Sequence, residues 1–166
     1  MNKSRAPATP SRPRHLSPGF TLIEMLITMV VLAILAAVVY PSFMDSIRKG
    51  RRSEAVASVN AIQQAQERFR ASRTSYSSSI TNAAGDSPPG LGLSANSSSG
   101  LYTLSLSDVS ALNYTITATA ASGKSQASDT NCVRMAMKVE SGTLSYGSAG
   151  SSGAIDFTDA KRCWSR

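Results

Sequence analysis

Glu24 is the residue of this 166-residue sequence whose position most clearly indicates chemistry. It is the only charged residue between Phe20 and Tyr40, in an apolar stretch bounded by Gly19 and Pro41. A charged acid costs about 2.5–3.5 kcal/mol at the centre of a bilayer, so acids in such stretches usually have a partner. A cut between Gly19 and Phe20 would create an α-amine four residues before Glu24. An ion pair between that amine and Glu24, within one chain or between neighbours, is the chemistry that this spacing favours.

The sequence contains little that an enzyme would need. His15 is the only histidine and precedes Phe20, so a chain cut there has no histidine for acid–base catalysis or metal binding. Gly147–Gly153 lacks the Lys-Ser/Thr ending of a phosphate-binding loop. Asp156 and Asp159 are two carboxylates, whereas calcium takes about six to eight oxygen ligands. The sequence therefore predicts no enzyme, no metal site and no cofactor.

Bases and an aromatic residue surround the C-terminal cysteine, Cys163. They are Lys161, Arg162, Trp164 and Arg166. Such a patch can hold DNA phosphates and stack a base on the indole ring, which makes DNA a possible partner. The alternative is that Trp164 packs on the protein's own fold. Residues 1–19 contain four bases and no acid, so their removal lowers the net charge from +7 to +3. That charge is too small to indicate nucleic acid by itself.

The apolar stretch predicts a membrane-spanning helix. As a helix, residues 20–40 would be about 31 Å long, close to the ~30 Å hydrocarbon core of a bilayer. A secretory signal peptide and an ordinary single-span anchor are the alternatives, but the first is shorter and neither requires Glu24. The stretch is therefore expected to act as more than an anchor.

A second, amphipathic helical pattern follows Pro41. Residues of one face recur at 4-3-4-3 spacing and predict a helix that continues to about Arg73. These residues are Ala55, Val59, Ile62, Gln66 and Phe69. Because a proline inside a helix removes one backbone hydrogen bond, Pro41 is expected to bend this helix rather than end it.

A run of bases lies early in the amphipathic part: Arg48, Lys49, Arg51 and Arg52. It predicts contact with anionic lipid headgroups or, after assembly, salt bridges between subunits. A solvated helix face is the alternative. Since residues 1–19 also hold four bases, the distribution of positive charge does not orient the chain in a membrane.

The C-terminal half reads as a loop followed by strands. Residues 74–100 are rich in Ser, Gly and Pro and predict a long surface loop. Alternation then predicts strands with Tyr102, Leu104 and Leu106 on one face. Further strands are expected around Tyr114–Thr119, Val133–Val139 and Thr143–Tyr146, the last two as a hairpin.

The residues Gly19-Phe20-Thr21-Leu22-Ile23-Glu24-Met25-Leu26 resemble the processing signal of type IV pilins and type II secretion pseudopilins. The resemblance implies that prepilin peptidase cuts after Gly19 and N-methylates Phe20. It also implies that Glu24 pairs with the N-terminus of an adjacent subunit during assembly. Pro41 falls where type IVa pilins carry a helix-kinking proline.

The C-terminal half is similar to the E-type minor pilins of type IVa systems. The similarity rests on Tyr102-Thr103-Leu104, the segment 114–118, Asp129 before Cys132, and the terminal Cys163-Trp164. Cys132 and Cys163 are the only cysteines and permit one disulfide, although two buried thiols are the alternative. A disulfide places this region in the periplasm or at the cell surface. The segment 132–163 then corresponds to the D-region, with a featureless loop at 147–153.

The sequence thus predicts an α+β pilin ladle, a long helix packed on a small antiparallel sheet. The expected parts are a leader 1–19, a transmembrane and assembly half 20–40, an amphipathic half 41–73, a loop 74–100 and a sheet region 101–166. The expected function is a minor pilin held in the inner membrane, with its C-terminal domain periplasmic, before it joins a surface pilus. Its expected partners are prepilin peptidase, other pilins and the inner-membrane assembly platform. A major pilin, a secretion pseudopilin and a DNA-uptake receptor remain alternatives.

Overall fold

The computed structural model describes residues 19–158 and 162–164. The chain forms two compact units, Met1–Tyr40 and Pro41–Arg166. Helix α1, Leu22–Ala71, supplies residues to both units. Over its most apolar 18 residues the helix has a mean hydropathy of 2.8, and by length and composition it is able to cross a membrane.

In the first unit, the described residues form the start of α1 and bury none of their side chains. Thr21 begins the helix, because its Oγ1 accepts the backbone N–H of Glu24 at 3.2 Å. Large apolar side chains are solvent-accessible along the whole segment, from Phe20 at 75% exposure to Tyr40 at 65%. Such a surface needs lipid or another protein chain to cover it.

The second unit contains a four-stranded antiparallel sheet in the order β1-β2-β3-β4. A short 3₁₀ turn, Ser125–Ser128, lies between β2 and β3. The strands are β1 Tyr102–Ser107, β2 Asn113–Ala120, β3 Arg134–Glu140 and β4 Thr143–Ala149. Each strand pairs with its neighbour in sequence, so the sheet is a simple meander.

The core lies between one face of this sheet and one face of α1. Ala55, Val59 and Ile62 of the helix are at most 1% exposed and belong to the same apolar cluster as the strand side chains. The strand members that are fully buried include Tyr102, Tyr114, Ile116, Met135 and Met137. The alternation therefore identified the inner face correctly. The predicted α+β fold, a long helix packed on an antiparallel sheet, is confirmed.

Two details of the helical pattern differ from the prediction. Ala65 is buried at the end of the stripe, whereas Phe69 stays half-exposed. Phe69 instead lies under the guanidinium of Arg73, whose carbon is 4.3 Å from the ring centroid. The helix ends at Ala71. The helical stripe is therefore buried as far as Gln66, and Phe69 lies beyond the buried cluster.

The hairpin between β3 and β4 has a two-residue turn, Ser141 and Gly142, with φ of 50° and 84°. Positive φ at both positions matches the twist of the flanking strands, which explains the glycine. Strand β4 continues to Ala149, so the featureless loop expected at 147–153 begins later than predicted. A Cβ on Gly147 would lie 2.7 Å from Ile155 Cγ2, so glycine admits the following segment against the strand.

The segment after α1 has no strand of its own but is fixed to the helix. The side chain of Gln66, fully buried, donates to Ser77 O at 2.8 Å and accepts from Ser77 N at 2.9 Å. Glu54 accepts the Ser99 N–H at 2.7 Å. Partial burial works to raise the pKa of Glu54, but hydrogen bonds from Ser97 and Ser99 outweigh it and lower that pKa. The long loop is therefore held at both ends.

The predicted disulfide between Cys132 and Cys163 is present, with Cα atoms 5.7 Å apart. It attaches the C-terminal segment to the chain two residues before β3 begins. Closing a loop of this length stabilises the fold by about 3.7 kcal/mol in the chain-entropy treatment.

Candidate functional site

The apolar segment of the first unit carries the predicted processing and assembly residues. Gly19 and Phe20 are exposed, so the peptide bond between them lies in accessible chain. Glu24 is exposed too and forms no ion pair with any residue in the ranges 19–158 and 162–164. Pro41 lies inside α1, at the first position of the second unit. The segment therefore offers an acid on an apolar surface, which a cation from another chain could neutralise.

In the second unit, a buried ion pair joins α1 to the loop before β3. Arg52 Nε and Nη2 donate to the two carboxylate oxygens of Asp129 at 2.7 and 2.8 Å. Gln126 Nε2 donates to the same carboxylate at 2.9 Å. Burial, and then the negative charge of Asp129, raise the pKa of Tyr102 to about 12. This bidentate geometry fixes the loop that leads to Cys132.

A cleft of about 360 Å³ lies beside this pair, and we call it the basic cleft. Its charged residues are the bases Arg48, Lys49, Arg52 and Arg162 and the acids Asp45 and Asp129. Ser128, Thr130 and Asn131 complete its wall. The cleft brings together the basic run of the helix and one of the four predicted C-terminal contact residues. Bases outnumber acids there, so the cleft suits an anion.

The structure describes two of the four predicted DNA-contact residues, Arg162 and Trp164. Arg162 is exposed and lines the basic cleft, whereas Lys161 and Arg166 lie outside the described residues. Trp164 is 6% exposed, donates from Nε1 to Gly147 O at 2.8 Å and packs on Tyr146 with ring centroids 4.9 Å apart. Its faces are covered by the fold, so base stacking by Trp164 is corrected to packing against β4.

A second basic surface lies where α1 ends. Arg73 stacks on Phe69 and donates from Nη2 to Ala84 O at 2.9 Å. This Arg–Phe platform, Phe69 and Arg73, separates two open hollows of about 510 and 240 Å³. Arg68 borders the smaller hollow and is exposed. Arg73 and Phe69 are each partly exposed, and a guanidinium stacked on a ring is a surface that nucleic-acid bases and phosphates can contact.

Asp129, Gln126 and the Arg–Phe platform were not among the residues predicted to act. For Asp129 the sequence contained a usable signal, because it is an acid shortly before Cys132. A helix that covers the sheet would bring its basic run close to that acid. No comparable signal marks Gln126, since a glutamine in a Ser-rich loop is ordinarily solvated. Within the described ranges, no group of three or more His, Cys, Asp or Glu side chains is arranged to hold a metal ion.

Comparison with known families adds two matches. The family described as "Type IV minor pilin ComP, DNA uptake sequence receptor" matches residues 41–136. The family described as "Prokaryotic N-terminal methylation motif" matches residues 15–40. The two matches adjoin at Tyr40–Pro41, the boundary between the compact units. The basic cleft's helical residues and the Arg–Phe platform fall inside the first match, and the C-terminal bases lie beyond it.

Individual relatives match over shorter stretches. A type IV major pilin protein PilA of Myxococcus xanthus is 37% identical over 59 residues, which is 36% of this chain and 27% of the relative. Type II secretion system core protein G of Pectobacterium carotovorum is 32% identical over 60 residues, 36% of this chain and 38% of the relative. The same protein of Aeromonas hydrophila is 33% identical over 58 residues, 35% of this chain and 41% of the relative.

The chain thus spans between about a quarter and two fifths of the length of these curated relatives. The first family match, by contrast, covers more than half of the chain, and the methylation motif covers the segment before it. The fold, the exposed apolar helix and the disulfide agree with both matches. The chain therefore belongs to the type IV pilins, in the family described as type IV minor pilin ComP, DNA uptake sequence receptor.

Proposed function

We propose that this chain is a minor structural subunit of a type IV pilus. It would be held in the inner membrane by residues 20–40, with the second unit in the periplasm. Prepilin peptidase would cut after Gly19 and methylate Phe20, and the platform would add the subunit to a filament with other pilins. The observation that carries the proposal is an uncovered apolar helix with one acid, Glu24, inside the match to the N-terminal methylation motif.

In this proposal Glu24 sets the register of the subunit in the filament. An acid left unpaired in an apolar packing costs about 2.5–3.5 kcal/mol, so a position that leaves it unmatched is disfavoured. A neighbour's α-amine at Phe20 supplies the cation. Removing the acid should leave membrane insertion intact, since the helix becomes more apolar, yet should remove the preference for one register.

The test is mass spectrometry of sheared filaments beside the membrane fraction. N-methylated Phe20 at trace stoichiometry in filaments supports a minor pilin, and the same peptide as the dominant species would make the chain a major subunit. Processed chain confined to membranes would favour a secretion pseudopilin. Glu24→Val should insert normally but enter filaments poorly, whereas Asp45→Asn, an exposed acid outside the apolar segment, should enter them normally. Equal incorporation of the two variants would contradict the register role.

The family description favours a second candidate, a DNA-uptake receptor. The Arg–Phe platform and the neighbouring Arg68 support it, because together they combine positive charge with a partly exposed ring inside the family match. Arg162, which is exposed, and the neighbouring bases of the sequence, Lys161 and Arg166, would supply a further contact. We expect the Arg68→Gln, Arg73→Gln double variant to bind duplex DNA more weakly and to reduce the salt slope by about one per lost phosphate contact. Absence of salt-dependent binding by the unaltered chain would dismiss this candidate.

A further inference from the structure

The basic cleft retains positive charge that its own acids do not neutralise. Asp45 pairs with Arg48 at 2.9 Å, and Asp129 pairs with Arg52. Lys49 and Arg162 form no ion pair with any residue in the described parts of the chain. Both are exposed in the wall of the cleft. Two positive charges are therefore available to a ligand.

The basic cleft also contains polar groups that can form hydrogen bonds with a ligand. Arg48 Nε is buried and has no hydrogen-bond partner among the described residues. The side chains of Ser128, Thr130 and Asn131 also line the cleft and are neutral, polar and exposed. A ligand that fits must therefore combine an anionic group for the bases with uncharged hydroxyl or ester oxygens for the loop. A phosphodiester carrying a polyol has this combination.

The position of the cleft in the sequence indicates where such a ligand would come from. Arg48 follows Tyr40, the last residue of the apolar stretch, by eight residues, which is about 12 Å along a helix. Phe43 and Met44 keep the intervening chain partly apolar. The headgroup layer on each side of a bilayer is about 5–7 Å thick, and long basic side chains reach back toward it. A membrane that holds residues 20–40 therefore brings its headgroups to these bases.

We propose that the basic cleft binds the headgroup of an anionic phospholipid of the phosphatidylglycerol class while the chain is anchored in a membrane. The phosphate lies between Lys49, Arg162 and the guanidinium of Arg48, and the glycerol hydroxyls contact Thr130 and Asn131. Because Arg162 adjoins Cys163 and Lys49 lies on α1, one bound headgroup contacts both the helix and the disulfide-bounded segment. This inference rests on the proposed membrane-held stage of the pilin.

The experiment uses the full chain in neutral detergent micelles, with bound lipid counted by native mass spectrometry. Phosphatidylglycerol and phosphatidylcholine are titrated separately. The cleft variant is Lys49→Gln with Arg162→Gln, and the matched control is Lys124→Gln with Lys138→Gln, which removes two bases that lie outside the cleft. A base near an anionic headgroup contributes about fivefold in affinity, so the cleft variant should bind phosphatidylglycerol about 30-fold more weakly than the unaltered chain. The control should be nearly unchanged.

Three results would overturn the inference. Equal loss in the cleft and control variants would mean that general charge, rather than the cleft, attracts the lipid. Inorganic phosphate that competes as well as the lipid would identify a free-phosphate site. Duplex DNA that displaces the lipid, and that the cleft variant binds weakly, would assign the cleft to nucleic acid. The lipid count needs no filament, so a failure here is distinguishable from a failure of filament incorporation.

Discussion

Replacement of Asp129 by asparagine should destabilise the second unit by about 3 kcal/mol. The Arg52 and Asp129 side chains are 15% and 5% exposed and are joined by two short hydrogen bonds. Removing one member of a buried pair costs about 3–5 kcal/mol, because the remaining charge stays buried without a partner. Arg52 borders the basic cleft and retains some solvent, which places the expected loss at the lower end of this range.

Asp45→Asn is the matched control for this experiment. It removes the same charge from a pair on the same helix, but Arg48 and Asp45 are 28% and 65% exposed. Exposed pairs contribute about 0–1 kcal/mol, since water already solvates both partners. The two variants therefore differ in burial of the pair and hardly at all in net charge.

Urea unfolding of the full chain in neutral detergent measures both effects. Trp164 is the only tryptophan and is buried against β4, so its fluorescence reports the loss of the second unit's fold. With a slope of about 2 kcal/mol per molar urea, Asp129→Asn should lower the midpoint by about 1.5 M and Asp45→Asn by less than about 0.5 M. Equally small shifts would show that Arg52 and Asp129 are as well solvated as the surface pair, which refutes the reasoning.

Three further outcomes are expected from the same unfolding assay. Gly147→Ala should cost about 1–3 kcal/mol through overpacking against the opposing segment, while Gly85→Ala, with nothing within 4 Å of its Cβ, should be near neutral. Reduction of the Cys132–Cys163 disulfide should cost about 3.7 kcal/mol, and an unchanged midpoint would contradict the loop-entropy account. The pKa of Glu54 is lowered on folding, so its stabilising effect is present above its ordinary value of 4.5 and is lost as the pH falls through the folded pKa. Glu54→Gln should therefore weaken the fold at pH 7 and converge with the unaltered chain in acid, and a pH-independent difference would exclude this linkage.

Strand and helix positions were predictable wherever one side of the chain faces the core. Tyr102 and Leu104, and likewise Ile116 and Ala118, alternate with polar neighbours, so period-two burial identified the inner face. The same reasoning misplaced Phe69, because periodicity assigns a face but does not locate the point at which the sheet ceases to cover it.

The sites that depend on distant segments were not predictable from one sequence. The basic cleft combines Lys49 with Arg162, which are far apart in the chain and meet because the disulfide returns the C-terminus to the helix. The sequence around Trp164 allows both base stacking and packing on the fold, and only the position of Gly147 on β4 decides between them. The predicted processing segment, by contrast, can be recognised from the sequence alone, because its residues are consecutive and do not depend on the fold to bring them together.

The short bridges outside the named strands have a consequence for polymerisation. At the β1 edge, Leu104 donates to Ala95 O at 2.7 Å and Ser97 donates to Tyr102 O at 2.9 Å. At the β4 edge, Ser148 and Asp156 exchange both backbone hydrogen bonds at 3.0 Å. Uncovered strand edges are templates for unwanted pairing between identical chains, and here the chain's own loops pair with part of each edge. If the chain polymerises as proposed, these bridges would limit pairing of its sheet with that of a neighbour and would favour addition through the apolar helix.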